Sequence, residues 1–442
     1  MATPPKLADR SMAVGLRALN RVAGSSAIDR LGLRDPFNSL LHSASRTTTR
    51  TATRAGRSFA AARRLSAPER QVRTSGADLF DLTPSEEQAL LSDSVLEFAL
   101  ERLRPAAIEA DAACAAPAEL LAQAAELGLA TLGVPEALGG ALTERSATTA
   151  LLVGEALARG DMGLAVCCLA PGAVATALGL WGDATQQARY LPPFAGDDPP
   201  MAGLALMEPE PLADPLAPRT TARTNGDGYA VDGIKALVPR AADAELLVVS
   251  ARLDEAGAAL FVIEAGREGL SVEPDPGLGI RAASTARLVL QDVRLPAGSL
   301  LGDGRPEVLR ECVALSRLAW CGLALGTGRA VLEYVSDYVR QRRAFGEPIA
   351  GRQAVAFTVA NIAIELEGMR LVALRAASRA DRGLSFEREV ALARTLCAGR
   401  GTAIGSDGVQ LLGGHGYVKE HPVERWYRDL RAAGVMEGAL LV

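Results

Sequence analysis

The sequence predicts an α+β fold in which a helical domain, a small antiparallel β domain and a helical bundle follow one another. Two changes of hydrophobic period carry this prediction, from a helical period to short strands and back to long helical segments. At 442 residues the chain is long enough for two or three domains with separate cores. We expect the boundaries at 1–78 for an N-terminal arm, 79–199 for the N-terminal all-α domain, 200–303 for the β domain and 304–442 for the bundle.

The arm is basic, whereas the rest of the chain is acidic. Residues 1–75 carry 13 Arg and 1 Lys against 4 acids, a net charge of +10, and the remainder carries −15. An acidic body is a poor electrostatic match for nucleic acid, so we expect no nucleic-acid binding. Arg10, Arg17 and Arg21 recur at helical spacing, which suits peripheral membrane contact, a transit peptide or a partly disordered leader.

Arginine usage bears on localisation. The chain has 44 Arg and 3 Lys, which is typical of a GC-rich genome and favours a bacterial cytoplasmic protein over one of the mitochondrial matrix. Six cysteines without a C-x-x-C pair indicate a reducing compartment and no structural zinc. With His42, His415 and His421 as the only histidines, His-rich metal sites and most Ser-His hydrolase schemes are not expected.

The helical domain opens on "TPSEEQALL", where Thr83 and Glu86 match a capping-box pattern. Further on, "MGLAVCCLAPGAVATALGLWG" at 162–182 has no charge and about the length of a membrane span. Pro171-Gly172 lies in its middle and an amphipathic segment precedes it. We therefore favour two short buried helices over a membrane span.

In the β domain, "TARTNGDGYAVDG" contains an Asn-Gly-Asp-Gly turn between β-prone runs and predicts a hairpin. Short runs such as "AELLVVSARL" and "ARLVLQDVRLP" predict the other strands. After Gly304 the helical period returns, as in a bundle. The predicted helices cover roughly 306–343, 352–382, 386–402 and 404–412.

The C-terminal motifs "RRAFGEPIAGRQAVAFTVANIAIELEGMRL", "DGVQLLGGHGYVKEHPVERWYRDLR" and "MEG" resemble those of acyl-CoA dehydrogenases. "ELGLATLGVPEALGG" and "LGIRAASTARLVLQDVRLPAGSLLG" resemble the other two domains of that family, so the resemblance runs from about residue 80 to the end. It implies an all-α domain, a β domain and a C-terminal four-helix bundle. It also implies FAD bound between subunits of a homotetramer, an acyl-CoA substrate, and an electron-transfer flavoprotein as acceptor.

The resemblance assigns a set of cofactor-binding residues at the seam between subunits. The diglycine Gly413-Gly414 has no side chains, so its backbone N–H groups can approach a dinucleotide pyrophosphate. A C-cap role is the structural alternative for the same diglycine. The cofactor-binding residues implied by the family are Arg342, Phe345, Gln353, Gln410, Gly413 and Gly414.

The resemblance also implies a catalytic base. The family's glutamate stands nine residues after an arginine, and Arg428 to Glu437 keeps that spacing. Such a carboxylate removes the α-proton of the thioester while a hydride leaves the β-carbon for flavin N5, and a dry site raises its pKa toward the useful range. Arg317 matches a bundle arginine near the CoA portion, and Ser316 occupies the position where some subfamilies carry their base.

Two further expectations concern structure. We interpret Arg428-Asp429 as a structural ion pair. We expect the predicted helices 352–382 and 386–402 to supply much of the apolar subunit interface, although the same residues could face the chain's own core. The interface residues named for this role are Val355, Phe357, Ile362 and Leu366.

The flavin-ring motifs depart from the family pattern. Where the family has T-E-P-x-A-G-S-D, this chain has "MEPEPLADP", with Met207 for the Thr; where the family has W-I-T, it has 237–239, Leu-Val-Pro. Ala439 replaces a Thr after the base. Three hypotheses stay open: an FAD-dependent acyl-CoA dehydrogenase, a flavin-poor structural subunit of a heteromer with a paralogue, and a non-redox CoA-ester binder.

Overall fold

The structure, a computed structural model, describes residues 82–141, 145–196, 198–254 and 257–437. All of them belong to a unit of residues 80–442. The basic arm of residues 1–78 lies outside the described residues, as does Ala439, so the expectations about both stay predictions.

The first domain is helical, as expected. Its first helix begins after Ser85, whose hydroxyl accepts from Gln88 N at 3.2 Å while Gln88 Oε1 accepts from Ser85 N at 3.0 Å. The predicted Thr83–Glu86 capping box is therefore wrong, because Ser85 and Gln88 satisfy the same pattern two residues later. The helices are α1 Glu86–Phe98, α2 Arg104–Ala113, α3 Ala118–Glu126, α4 Ala147–Ala158, α5 Met162–Trp181 and α6 Ala184–Tyr190.

Helix α5 corrects a second expectation, since residues 162–181 form one continuous helix and not two short ones. Pro171 lies inside it, and close packing on both sides holds the helix together across the missing N–H. Among the described residues it is the one helix long and apolar enough to cross a membrane, and 67% of its apolar window is buried inside the fold. The core helix of a folded domain can have the same length and hydropathy as a membrane span.

The middle domain is a mostly antiparallel sheet. Its strand order is β6-β7-β3-β2-β4-β5-β8, with β1 beside β4. The predicted hairpin joins β2 and β3 across Gly226-Asp227, whereas β1 and β2 each pair with β4 in parallel. The strands are β1 Ala202–Ala205, β2 Thr221–Asn225, β3 Gly228–Val238, β4 Leu246–Leu253, β5 Gly257–Glu264, β6 Leu270–Pro274, β7 Ala286–Leu295 and β8 Leu300–Leu301.

The C-terminal domain is helical and packs against α4, which contacts its first two long helices. The predicted break near residue 403 is wrong, because one helix runs through it. Gly405 there lies against Tyr427 and Gly401 against Leu430, so these glycines allow close helix packing and do not end the helix. The elements are α7 Pro306–Gln341, β9 Arg343–Ala344, β10 Glu347–Pro348, α8 Gln353–Asp381, α9 Glu387–Leu412, α10 Val423–Asp429 and α11 Ala432–Val435.

Helix α8 presents an apolar stripe to solvent. Phe357, Ile364 and Leu371 are 59%, 67% and 41% exposed and follow one another at seven-residue spacing, which places them on one face. Ile362 and Leu366 are buried in the chain's own core, and Val355 is half-buried against it. Of the four residues expected at a subunit interface, only Phe357 is therefore mainly available to a partner.

Helix α10 is tied to the N-terminal domain by an ion pair that the sequence did not reveal. The Arg428 guanidinium binds both carboxylate oxygens of Asp111 in α2, each at 2.9 Å, and also Glu424. The predicted Arg428-Asp429 pair is wrong, because neighbouring helical residues point in different directions. Asp429 instead accepts from the backbone N–H of Ile280, at 2.6 Å, in the loop between β6 and β7.

A second ion pair lies deeper in the same contact. Arg425 Nε donates to Asp161 Oδ2 at 2.9 Å, and both side chains are buried. Asp161 Oδ1 also accepts from Leu164 N and caps α5. Burial raises the pKa of Asp161, and burial together with the Asp161 charge raises the pKa of Asp429 to about 8. These contacts fix α10, and with it the chain that leads to the C-terminus, against both other domains.

We predict that Arg425→Met lowers stability by about 3–5 kcal/mol, because it leaves the buried Asp161 carboxylate without its counter-charge. The double variant Arg425→Met, Asp161→Asn should recover much of the loss. Thermal unfolding midpoints measure both effects. Arg340→Met, which removes an exposed pair with Asp337, is the matched control and should change stability by less than about 1 kcal/mol. Equal losses in the buried and exposed variants would contradict the anchoring role.

Candidate active site

Glu437 lies two residues after the end of α11, in a constrained position. Its residue is 7% exposed, and its backbone has a φ of 54°, in the left-handed region that non-glycine residues rarely adopt. Its carbonyl oxygen accepts from Arg317 Nε at 3.1 Å and Nη2 at 2.8 Å. A two-pronged bond from a guanidinium fixes the direction of this backbone segment.

Groups around the Glu437 carboxyl partly offset the effect of burial on its pKa. Burial raises its pKa to about 7, while Arg394, Ser316, Arg317 and Trp320 act in the opposite direction and favour the charged form. Within the described part of the chain, Oε2 is buried and has no hydrogen-bond partner. A carboxylate of this kind can accept a proton near neutral pH.

Two long helices supply these neighbours. Ser316 and Trp320 are four residues apart on α7 and therefore share a face. Arg394 lies on the buried face of α9, and its Nη2 donates to the Gly434 carbonyl of α11 at 3.4 Å. Burial lowers the pKa of both Arg394 and Arg317, and the Glu437 charge opposes that shift. Glu437 is thus held from α7 and α9 at once.

A mainly apolar cavity of about 180 Å³ lies next to Ser316, one of the neighbours of this carboxyl. Ser316, which faces Glu437, is part of its wall, and α4, α5 and α7 enclose it. A cavity with this lining suits an apolar chain better than a polar metabolite. Its lining includes Leu132, Leu151, Leu169, Leu315, Leu318 and Ala319.

The six cofactor-binding residues predicted from the sequence are exposed, whereas Glu437 is buried. All six are solvent-exposed, with Phe345 at 94%, and they belong to α8, α9, the β9–β10 hairpin and the turns beside them. These residues are Arg342, Phe345, Gln353, Gln410, Gly413 and Gly414. Exposure of a bulky ring such as Phe345 is unusual unless something covers it.

The diglycine has the geometry expected of an open backbone segment. Gly413 ends α9 with φ 60° and ψ −134°, a conformation for which glycine is suited. A Cβ added at Gly413 or Gly414 would meet none of the described residues within 4 Å, whereas one at Gly416 would lie 2.2 Å from the Val409 carbonyl. The first two glycines therefore leave room above the backbone, and the third is required for packing.

On the β-domain side, the retained Glu208 has a structural role. Lys235 Nζ donates to Glu208 Oε1 at 2.8 Å and to Ser250 at 2.9 Å, and Thr220 donates to the same carboxylate. The Leu237 N–H is also occupied, by Asp275 Oδ2 at 3.0 Å. The altered positions 207 and 237–239 therefore offer apolar side chains and no hydroxyl to a ring.

Comparison with known proteins identifies the family. Profiles of the acyl-CoA dehydrogenase N-terminal, middle and C-terminal domains match residues 85–198, 203–293 and 302–440. The short-chain specific acyl-CoA dehydrogenase of Bos taurus mitochondria is 34% identical over 368 residues, which are 80% of this chain and 87% of that protein. The chain belongs to the acyl-CoA dehydrogenase family.

Solved structures agree with this assignment. Butyryl-CoA dehydrogenase from Megasphaera elsdenii superimposes with a TM-score of 0.76 at 26% identity, covering 82% of this chain and 97% of that one. A chain from a study of the electron transferring flavoprotein of Acidaminococcus fermentans gives a TM-score of 0.76 at 27% identity, with the same coverage. The expected three-domain fold is confirmed, and the chain is an oxidoreductase that acts on acyl-CoA.

Family members bind FAD, and the residues of this chain fit that cofactor in part. The open diglycine and the exposed arginine and glutamine side chains suit a pyrophosphate and its flanking groups. The ring side lacks the usual hydroxyls, so ring contacts would come from backbone groups and apolar packing. The roles of all six residues stay predictions.

Sequence motifs missed three residues that the structure brings to the site: Trp320, Arg394 and Arg145. The signal for Arg394 was present, since Val390 and Cys397 place it on the apolar face of α9. Arg317, expected near the CoA portion, contacts the Glu437 backbone, and its substrate contact stays a prediction.

We predict that kcat/KM rises with pH up to about 7 and then levels off, because the base must be unprotonated. Arg394→Met removes a positive charge that favours ionised Glu437, so the rise should move to higher pH while the plateau changes less. Arg400→Met, which breaks an ion pair with Glu365 elsewhere on α9, is the matched control. An unmoved pH profile in Arg394→Met would show that this charge does not act on the base.

Proposed function

We propose that this chain catalyses the α,β-dehydrogenation of an acyl-CoA thioester, with Glu437 as the base that removes the α-proton. The observation that carries the proposal is a buried carboxyl whose Oε2 has no partner among the described residues, beside an apolar cavity that suits an acyl chain. The spacing from Arg428 to Glu437 supports the same role.

The chain's own residues account for the proton transfer. Arg317 holds the Glu437 backbone, and α7 and α9 exclude water from the carboxyl, which keeps its pKa close to neutrality. A base positioned in this way contributes about 10²–10⁴-fold to the rate. The Arg394 charge keeps enough of the carboxyl ionised at neutral pH to accept the proton.

Arg342, Phe345, Gln353, Gln410, Gly413 and Gly414 would hold FAD. When bound, the flavin supplies the acceptor for the hydride that leaves the β-carbon. Gly413 and Gly414 would lie along the pyrophosphate, since their backbone is open, and Phe345 would be covered by the cofactor or by a second subunit.

We propose that an electron-transfer flavoprotein accepts the electrons and that a second copy of the chain packs against this one. The similarity to a chain studied with the electron transferring flavoprotein of Acidaminococcus fermentans supports the first partner. The exposed stripe Phe357, Ile364 and Leu371 supports the second, since homotetramers are typical of the family. A heteromer with a paralogue would use the same stripe.

A second candidate is a flavin-poor structural subunit. The apolar residues at 207 and 237–239 favour it, since they remove the polar side chains that usually surround the ring. The well-positioned Glu437 favours the enzyme, because a structural subunit has no need of a buried carboxylate there.

We predict that Glu437→Gln lowers turnover by at least about 10²-fold, since it removes the proton acceptor and keeps the size of the side chain. Acyl-CoA binding, measured by titration calorimetry, should persist. Glu307→Gln, on the exposed start of α7, is the control and should leave turnover unchanged. Near-normal turnover in Glu437→Gln would assign the base to another residue.

We predict that Gly414→Ala weakens FAD binding without lowering the unfolding temperature. Its Cβ would meet no atom of the described residues within 4 Å, but it would take up space that we assign to the pyrophosphate. Gly399→Ala, an equally open position on α9, is the matched control and should keep wild-type FAD content. Wild-type protein that is colourless and does not take up FAD would instead support the structural-subunit hypothesis.

A further inference from the structure

The cavity beside Glu437 is not apolar throughout. Among its described lining residues, Arg145 is the one that carries a charge. It directly precedes Ser146, the N-cap of α4, and is partly buried in the wall. An arginine is a costly residue to place against an apolar chain, so its presence calls for a partner.

Within the described residues, no hydrogen bond and no ion pair within 4.0 Å engages the Arg145 guanidinium. Burial lowers its pKa, and the charges of Glu311 and Asp381 oppose that shift. Arg145 therefore has negative charges in its surroundings but no direct partner among the described residues, and it lines the space that the acyl chain would occupy.

Both acids are engaged elsewhere. Asp381 accepts from the Ser146 hydroxyl at 2.9 Å and from Thr148 N at 3.1 Å, and so caps α4. Glu311 accepts from the Trp181 indole N–H at 3.2 Å. These bonds hold the two carboxylates in place against other groups and leave the guanidinium donors for a ligand.

The hydroxyls of the cavity wall are occupied as well. Thr149 Oγ1 accepts from Gln88 Nε2 at 3.1 Å, and Thr176 Oγ1 donates to the Gly172 carbonyl at 2.7 Å. Among the described wall residues, Arg145 is thus the charged donor without a protein partner, and its nitrogens remain accessible to water or to a ligand. A ligand that fills the cavity with hydrocarbon alone would leave it unpaired.

The charged groups nearest Arg145 differ from those nearest Glu437. The residue that faces Glu437 is Ser316, whereas the acid that acts on Arg145 is Glu311, five residues earlier on α7. Five helical residues span roughly 7.5 Å, which is the scale of a short acyl chain. A chain whose α-carbon lies at Glu437 would therefore bring its distal end toward Arg145.

We infer that the cavity takes an acyl-CoA whose chain carries a hydrogen-bond-accepting oxygen at its distal end, and that Arg145 is the residue that selects it. The inference rests on the proposed function for the position of the thioester. A carboxylate, a hydroxyl or a carbonyl shares this chemistry. The negative charges of Glu311 and Asp381 disfavour a third anion and thus favour a neutral oxygen among the three.

The expected selectivity is substantial. A hydrogen bond to a charged donor contributes about 1.5–3 kcal/mol, and each 1.4 kcal/mol is about tenfold in affinity. A site built to bind a substrate oxygen also disfavours the analogue that lacks it, because the alkyl chain displaces water from the donor and offers it no acceptor in return. Chains with a distal oxygen should therefore bind at least about tenfold more tightly than the alkyl chain of equal length.

The test compares hexanoyl-CoA, 6-hydroxyhexanoyl-CoA and adipoyl-CoA by titration calorimetry on the Glu437→Gln protein, so that binding is read without turnover. We expect one or both oxygenated chains to bind at least about tenfold more tightly. Adding Arg145→Met should reduce the difference to about twofold or less, while Arg145→Lys, which keeps a charged donor, should retain part of it. Arg310→Met, an exposed arginine of α7 paired with Glu307, is the control and should keep the full difference.

The outcomes separate this inference from the proposed function. Hexanoyl-CoA binding as tightly as both oxygenated chains would overturn the inference, and so would an Arg145→Met protein that keeps the wild-type preference. If wild-type protein binds the oxygenated chains selectively but dehydrogenates none of them, the proposed function fails and the selecting role of Arg145 stands.

Discussion

The buried pair Arg425–Asp161 is the interaction on which the rest of the site depends. It joins α10 to the start of α5, and Arg428–Asp111 and the Asp429–Ile280 bond tie the same short helix to α2 and to the β domain. A chain end normally frays unless tertiary contacts hold it. Because α10 is fixed on three sides, the few residues that follow it can place Glu437 inside the protein rather than in solvent.

The site then depends on a balance between burial and charge. A fully desolvated carboxylate would hold its proton too firmly to act as a base, whereas a solvated one would be too weak. Here burial raises the pKa, and Arg394 and Arg317 limit the rise to about 7. Arg317 does so while fixing the Glu437 carbonyl, so the same residue affects both the position and the basicity of the proposed base.

Periodicity was sufficient to predict the order of the three domains, because it leaves local patterns in the sequence. The motif spacing singled out Glu437, which the structure shows to be buried, and its catalytic role stays a prediction. Periodicity and motifs failed where long-range contacts decide. Pro171 does not break α5, since packing holds that helix together. Arg428 pairs with Asp111, more than 300 residues away, and not with its neighbour. Arg145 gave no local signal, because its significance comes only from the cavity that three helices form around it.

The central claim is that the Glu437 carboxyl exchanges the α-proton of a bound thioester. The most direct measurement is deuterium incorporation at the α-carbon of an acyl-CoA incubated with the protein in D₂O without an electron acceptor, read by mass spectrometry. We expect wild-type protein to exchange α-hydrogens, and Glu437→Gln to exchange them no faster than free solution. Exchange at the wild-type rate in Glu437→Gln would contradict the account, because the proton would then be moved by another group.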